Sequence, residues 1–189
     1  RGKEADDDED YVREMCIKLG LHFHVAHFDV KEYAKRNKLS EEEAGRELRY
    51  QAFFDACKEY QCNKIAIAHN KDDQAETVLF HMFRGTGLKG LTGIPVSREL
   101  EDGIQIIRPL LCMSRNRIEE YLRERGLEHR TDHTNLLNEY SRNKLRNQLI
   151  PYVKTNINQG VVDHIFRMSG QLNEVYHYID QKVMESTNQ

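Results

Sequence analysis

The sequence has no tryptophan and three prolines. No apolar run approaches the roughly 20 residues that a membrane-crossing helix needs, which excludes a helical membrane span. With 39% hydrophobic and 31% charged residues, the balance suits a soluble, helix-rich globular chain better than a disordered one. Four cysteines (Cys16, Cys57, Cys62, Cys112) form no Cys-x-x-Cys pair. Their irregular spacing argues against a disulfide framework or a structural zinc site, and a reducing cytoplasm is the expected setting. No strong charge of either sign is present, since the net charge is −3. Contact with nucleic acid would therefore rest on how charge is distributed. Residues 1–10 hold six acids against two bases, whereas Ser114 to Lys154 holds nine Lys/Arg against six acids. The first residues carry no initiator methionine and no apolar signal core, so the expectation is a chain cut at its start.

A length of 189 residues allows one sizeable domain plus a fragment of another. Val12, Met15, Cys16 and Leu19 recur at helical spacing, with Gly20 as a stop. Leu21 to Val30 alternates with period two and predicts a strand. Ser40-Glu41-Glu42-Glu43 resembles a capping box within a long helical stretch that runs to Tyr60. Lys64 to His69 is short and almost wholly apolar, the pattern of a central parallel strand covered on both faces, and a helix over Asp72 to Phe83 follows it. Gly103 to Leu111 predicts another strand, Ser114 caps a helix to Arg125, a further helix runs from about Tyr140 to near Pro151, and Val161 to Met184 is amphipathic. Strand–helix alternation indicates an α/β fold with a parallel sheet, in which ligands bind at the carboxyl ends of the strands. His69 lies at such an end.

Asp72, Asp73 and Glu76 occupy the first turns of the helix after that strand, and spacings of three and four place Glu76 beside both aspartates. Any one of them would serve simply to complement the helix dipole. Three carboxylates converging with His69 on a strand end suit a cation instead, either a metal ion or a substrate ammonium. Lys89, within Arg84-Gly85-Thr86-Gly87-Leu88-Lys89-Gly90, could reach a phosphate, although a helix stop followed by a turn needs the same glycines. His22, His24 and His27 on one alternating segment read as a half-exposed face rather than a metal site. Arg142 and Arg146 share a helix face near Asn143, Asn147 and Gln148, a plausible phosphate-contacting surface. The polar stretch Arg130 to Asn135 has no apolar anchor.

Taken together, Ala68-His69-Asn70-Lys71-Asp72-Asp73-Gln74-Ala75-Glu76-Thr77, Arg84 to Leu91, Ile107-Arg108-Pro109-Leu110-Leu111, Asp132-His133-Thr134-Asn135 and Arg142-Asn143 resemble the tRNA(Ile)-lysidine synthetase family in order and spacing. The similarity extends from Arg1 to about Pro151, and the first block is shared more loosely with other ATP pyrophosphatases of the PP-loop superfamily. The resemblance implies a partial Rossmann-like parallel sheet of the PP-loop ATPase type over residues 1–152, followed by a helical linker or the start of a second domain over 153–189. It implies ATP, with Mg2+ accompanying it, as cofactor. The implied partners are lysine and an isoleucine tRNA with a CAU anticodon, in the cytoplasm, with an oligomer possible. In the implied reaction ATP adenylates the C2 oxygen of the wobble cytidine, and the lysine amine then displaces AMP. His69 and Asp73 would be catalytic, Asp72, Asp73 and Glu76 would hold lysine, and Lys89, Arg108, Arg142 and Arg146 would meet tRNA or AMP phosphates.

This chain departs from the family at one motif. The Ser-Gly-Gly-x-Asp-Ser loop that holds ATP phosphates is not found, and no two glycines are adjacent. Arg1-Gly2 resembles the end of a strand that follows that loop, so the chain by itself is expected to be inactive although its parent is an ATP-dependent ligase. A sulfur-transferring tRNA enzyme of the same superfamily is one alternative, but such relatives commonly carry paired cysteines. A metal-dependent hydrolase using His69 and the acids as ligands is another, and a non-catalytic tRNA-binding module a third.

Overall fold

A computed structural model describes residues 3–128, 130 and 141–187. By compactness the chain divides into two units, Arg1–Ile65 with Leu100–Gln105, and Ala66–Glu99 with Ile106–Gln189. The Thr131 to Tyr140 stretch, with the Asp132 to Asn135 motif, lies outside the described residues.

The first unit is helical. Helix α1 (Lys3–Leu19) ends where Gly20 adopts a left-handed φ of 65°, a conformation glycine takes without Cβ strain. Helices α2 (Val30–Asn37) and α3 (Glu41–Glu59) replace the single long helix of the sequence reading. Lys38 turns left-handed to close α2, and Ser40 opens α3 with the expected capping box, its hydroxyl accepting from Glu43 N while the Glu43 carboxylate accepts from Ser40 N. Ala34, Ala44, Leu48 and Cys57 are buried in this unit. The strand expected over Leu21 to Val30 does not form. Residues 21–29 are irregular, with Leu21, Val25 and Phe28 exposed. Alternation describes two faces, but a strand also needs a neighbouring ladder, and among the described residues none pairs with this segment.

Strands β1 (Lys64–Ala66), β2 (Ser97–Glu99) and β3 (Gln105–Ile107) form one sheet in the order β1-β3-β2. Gln105 N donates to Asn63 O and Ile67 N to Ile107 O, the slanted pattern of a parallel pair. Leu100 N to Ile104 O and Arg108 N to Val96 O make β2–β3 an antiparallel hairpin. The fold is thus α/β, with a small sheet containing a parallel pair amid mostly helical structure. The apolar run expected to be a central strand is shorter and less covered than its composition suggested. Only Lys64–Ala66 is strand, and Ile65 is buried between exposed neighbours. Within the described sheet β1 is an edge, so one side of its ladder stays open. The middle position belongs to β3, whose Ile106 is fully buried.

In the second unit α4 (Lys71–Phe83) buries Gln74 to Val78. Ala75 and Val78 pack with Ile150, Val162 and Ile165, and Leu79, Leu91 and Val161 lie against them. Fully burying a Val or Ile side chain stabilises by about 1.5–3 kcal/mol, so this cluster is what holds the later helices onto α4. The helices after α4 are α5 (Leu88–Leu91), α6 (Arg115–Glu124, capped by Ser114), α7 (Ser141–Lys144), a π-helical turn over Leu145–Leu149, α8 (Ile150–Asn156) and α9 (Val161–Thr187), and of these α5, α8 and α9 contribute to the cluster. The helix expected to stop near Pro151 continues to Asn156. Ile150 N donates to Leu145 O in the wider π register, and Pro151 follows in the first turn of α8, where a missing N–H is tolerated.

Candidate active site

The site is built on the start of α4. Asn70 is its N-cap, with Oδ1 accepting from Asp72 N at 2.9 Å and Asp73 N at 3.1 Å. Asp73 Oδ2 accepts from Asn70 N at 2.9 Å, completing a capping box. The first-turn acids are therefore held by the backbone they cap. Asp72 Oδ2 accepts from Arg115 N at 2.8 Å, tying α4 to the beginning of α6, and Lys71 N donates to Met113 O at 2.9 Å beside it.

Into this acidic turn projects Arg146, carried by the π-helical turn. Its Nε donates to Glu76 Oε1 at 2.6 Å, while Nη2 donates to Glu76 Oε2 at 2.9 Å and to Asp73 Oδ1 at 3.0 Å. Planar bidentate pairing of this kind is what guanidinium does best. Glu76 is only 3% exposed. Burial pushes its carboxyl above the usual glutamate range, Arg146 opposes that rise, and Asp73 adds to it. The hydrogen bond to Glu76 in turn raises Arg146 further, so the guanidinium stays charged. Lys154 Nζ lies 3.6 Å from Asp72 Oδ1.

These groups line a pocket of about 360 Å³ bounded by Asp72, Asp73, Glu76, Arg115, Arg146 and Lys154, with Ile150 and Pro151 as an apolar wall. Three acids face three bases, a lining suited to a ligand that carries both signs of charge. Among the described residues no His/Cys/Asp/Glu group has the arrangement of a metal site.

Not every candidate residue gathers there. His69 does not line the pocket; its Nδ1 accepts from Arg108 Nε at 3.2 Å. Arg108 is 6% exposed and also donates from Nη1 to Pro95 O at 2.7 Å, so it fixes His69 and the loop before β2. Lys89 sits on α5, exposed and away from the acids. The four-residue spacing of Arg142 and Arg146 suggested a common face, but their guanidinium groups go to different places. Arg142, exposed, donates to Thr77 Oγ1 at 3.0 Å and lies over the Phe80 ring, while Arg146 turns inward to the carboxylates.

Sequence reasoning missed Asn70, Lys154 and Gln74. Asn70 had a local signal, an Asn three residues before Asp at a helix start. Lys154 had none, because its pairing with Asp72 spans most of the domain. Gln74, 4% exposed, accepts from Ile94 N at 2.6 Å and donates to Thr92 O and Ser169 Oγ, pinning the loop after α5 and the first turns of α9 to α4.

A parallel strand pair whose carboxyl end leads into a capped helix with a charged pocket at its first turn defines an α/β domain with a ligand-sized site at the end of its strands. Comparison with known proteins narrows the class. A family model described as "PP-loop domain" matches residues 2–153, and the chain belongs to that family. Curated relatives named tRNA(Ile)-lysidine synthase include one from Clostridium tetani, 44% identical over 180 residues, which are 95% of this chain and 38% of the relative. Another, from Clostridioides difficile, is 46% identical over 182 residues, 96% of this chain and 38% of the relative. A third, from Chlorobaculum tepidum, is 42% identical over 180 residues, 95% of this chain and 53% of the relative. The chain spans about two fifths of the length of the first two. Among solved structures, a U34-tRNA thiolase, NcsA, from Methanococcus maripaludis with its 4Fe–4S cluster aligns with a TM-score of 0.64 at 21% identity. The alignment covers 87% of this chain and 55% of that one, a likeness of fold.

Proposed function

We propose that this chain is part of a tRNA(Ile)-lysidine synthase, a cytoplasmic ATP-dependent ligase that joins lysine to the wobble cytidine of an isoleucine tRNA with a CAU anticodon. The observation that carries the reading is the mixed-charge pocket at the start of α4. Lysine is a zwitterion with a second ammonium, and the pocket offers carboxylates and cations a few ångströms apart. ATP, with Mg2+, supplies an adenylyl group that makes the cytidine C2 oxygen a leaving group. Arg115 and Lys154 are the pocket cations that fit an anionic group, whereas the acids would repel phosphate.

Asp73 and Asp72 are the acids best placed to take a lysine ammonium, since Glu76 is already held bidentately by Arg146. The attacking amine must lose a proton, and a carboxylate is better placed for that than His69. With Nδ1 accepting from Arg108, the neutral imidazole carries its proton on Nε2 and has no free lone pair to act as base. Of the candidate phosphate ligands, Arg142 is the exposed one beside the pocket helix, while Arg108 and Arg146 serve as positioning groups.

The test uses the full-length protein with ATP, labelled lysine and the isoleucine tRNA. Expected are AMP release that requires both lysine and tRNA, and lysidine in the digested tRNA. Asp73→Asn should raise the KM for lysine about tenfold or more, the worth of one charge-assisted hydrogen bond, with a smaller effect on the KM for ATP. Sulfur incorporation without lysine, or an ATP KM that collapses while lysine dependence is unchanged, would refute the assignment.

A further inference from the structure

The first unit holds a pair of cysteines that the proposed chemistry does not use. Helix α3 ends in a Schellman motif: Gln61 takes a left-handed φ of 53°, Cys62 N donates to Cys57 O at 2.8 Å, and Gln61 N donates to Lys58 O at 3.2 Å. This motif brings the residue after the turn back against the last full turn of the helix, and here both positions are cysteine. A 2.8 Å hydrogen bond between Cys62 N and Cys57 O, with standard backbone dimensions, holds the two Cα atoms within about 6.7 Å, inside the span a disulfide bridges. The Cys57 Sγ donates to the Cys62 backbone O at 2.9 Å, while the Cys62 Sγ lies 3.7 Å from Tyr60 O, so a rotation of the exposed Cys62 side chain is what would bring the two sulfurs together. Both thiols are free, Cys57 buried and Cys62 exposed. Burial raises the Cys57 thiol above its ordinary range, and the neighbouring Cys62 raises it further.

We propose that Cys57 and Cys62 form a reversible intramolecular disulfide when the protein meets a peroxide, making the end of α3 a modification site. The exposed Cys62 thiolate attacks a peroxide oxygen, the O–O bond breaks, and Cys62 becomes a sulfenic acid. Cys57 then attacks the Cys62 sulfur; the S–S bond forms, the S–O bond breaks, and the departing hydroxide takes up the Cys57 proton as water. Overall, two thiols and one hydrogen peroxide give one disulfide and two waters. A dithiol reductant reverses the change. The bridge would staple the turn through Gln61 that leads directly into β1, and so lock the approach to the parallel strand pair.

The experiment treats the full-length protein with hydrogen peroxide, alkylates remaining thiols and maps peptides without reduction. Expected is a loss of two hydrogens on the segment containing Cys57 and Cys62, at a rate independent of protein concentration and restored by dithiothreitol. Cys62→Ser should abolish it, whereas Cys16→Ser and Cys112→Ser should leave it unchanged. Because Cys57→Ser alters a buried position, its result counts only if circular dichroism shows the native helix content, and the surface variant Cys62→Ser decides otherwise. Intermolecular dimers through Cys62, or Cys62 oxidised to sulfinic acid with Cys57 still a thiol, would overturn the proposal.

Discussion

Arg146 is the counter-charge that lets Glu76 carry a carboxylate at 3% exposure. Removing one member of such a pair leaves the other uncompensated, so Arg146→Ala should destabilise the fold by about 3–5 kcal/mol, measured by urea unfolding. A loss below 1 kcal/mol would mean that water reaches Glu76. The pair also makes a pH prediction. Burial raises the Glu76 carboxyl despite Arg146, so the folded state binds that proton more tightly than the unfolded chain does. The resulting stabilisation is complete below the ordinary glutamate range and is lost as pH climbs through the raised value. Glu76→Gln removes this proton altogether. The melting temperature of the wild type minus that of E76Q should therefore fall as pH rises across this window; a difference that grew with pH would show that Arg146 outweighs burial.

At the scale of the element, α4 is where local chemistry and the site coincide. Its N-cap satisfies two backbone N–H groups through Asn70 Oδ1, and the Asp73 carboxylate returns the bond to Asn70 N. Asn70→Ala should cost about 0.5–2 kcal/mol by chemical denaturation and free Asp73 to move, so stability and lysine KM should worsen together. An unchanged lysine KM beside the stability loss would separate the cap from the pocket. The caps at Ser40 and Ser114 were legible because each is a contact between residues three apart, with Glu43 N and Arg117 N. Leu21 to Val30 was not, because its alternation carries no information about whether another strand lies alongside. The continuation of the helix past Pro151 was hidden for a related reason. A π turn changes hydrogen-bond register without any composition of its own.

At the scale of the whole molecule, a net charge of −3 gives no general attraction for nucleic acid, so under the proposed function a tRNA contact falls to individual exposed cations. Arg142 is the one proposed for it, and in the full-length protein Arg142→Ala should flatten the plot of log tRNA affinity against log salt by about 0.7–0.9. Cognate and non-cognate tRNA should weaken together, because phosphate contacts do not read sequence. If the slope stayed fixed while the melting temperature dropped, Arg142 would be serving Thr77 and Phe80 alone. By itself the sequence determined the α/β class, the capped helix starts at Ser40 and Ser114, and the acidic turn at Asp72, Asp73 and Glu76, the caps and the turn being set by neighbours within one turn of chain. Tertiary structure decided that Glu76 is buried while Asp72 and Asp73 stay half-buried, that Arg146 turns inward while Arg142 stays out, that Arg108 occupies the lone pair of His69, and that Lys154 reaches Asp72. Those choices depend on burial and on charges brought together from as much as 82 positions apart, and Coulomb attraction at 3 to 4 Å acts on distance in space, which residue order does not encode.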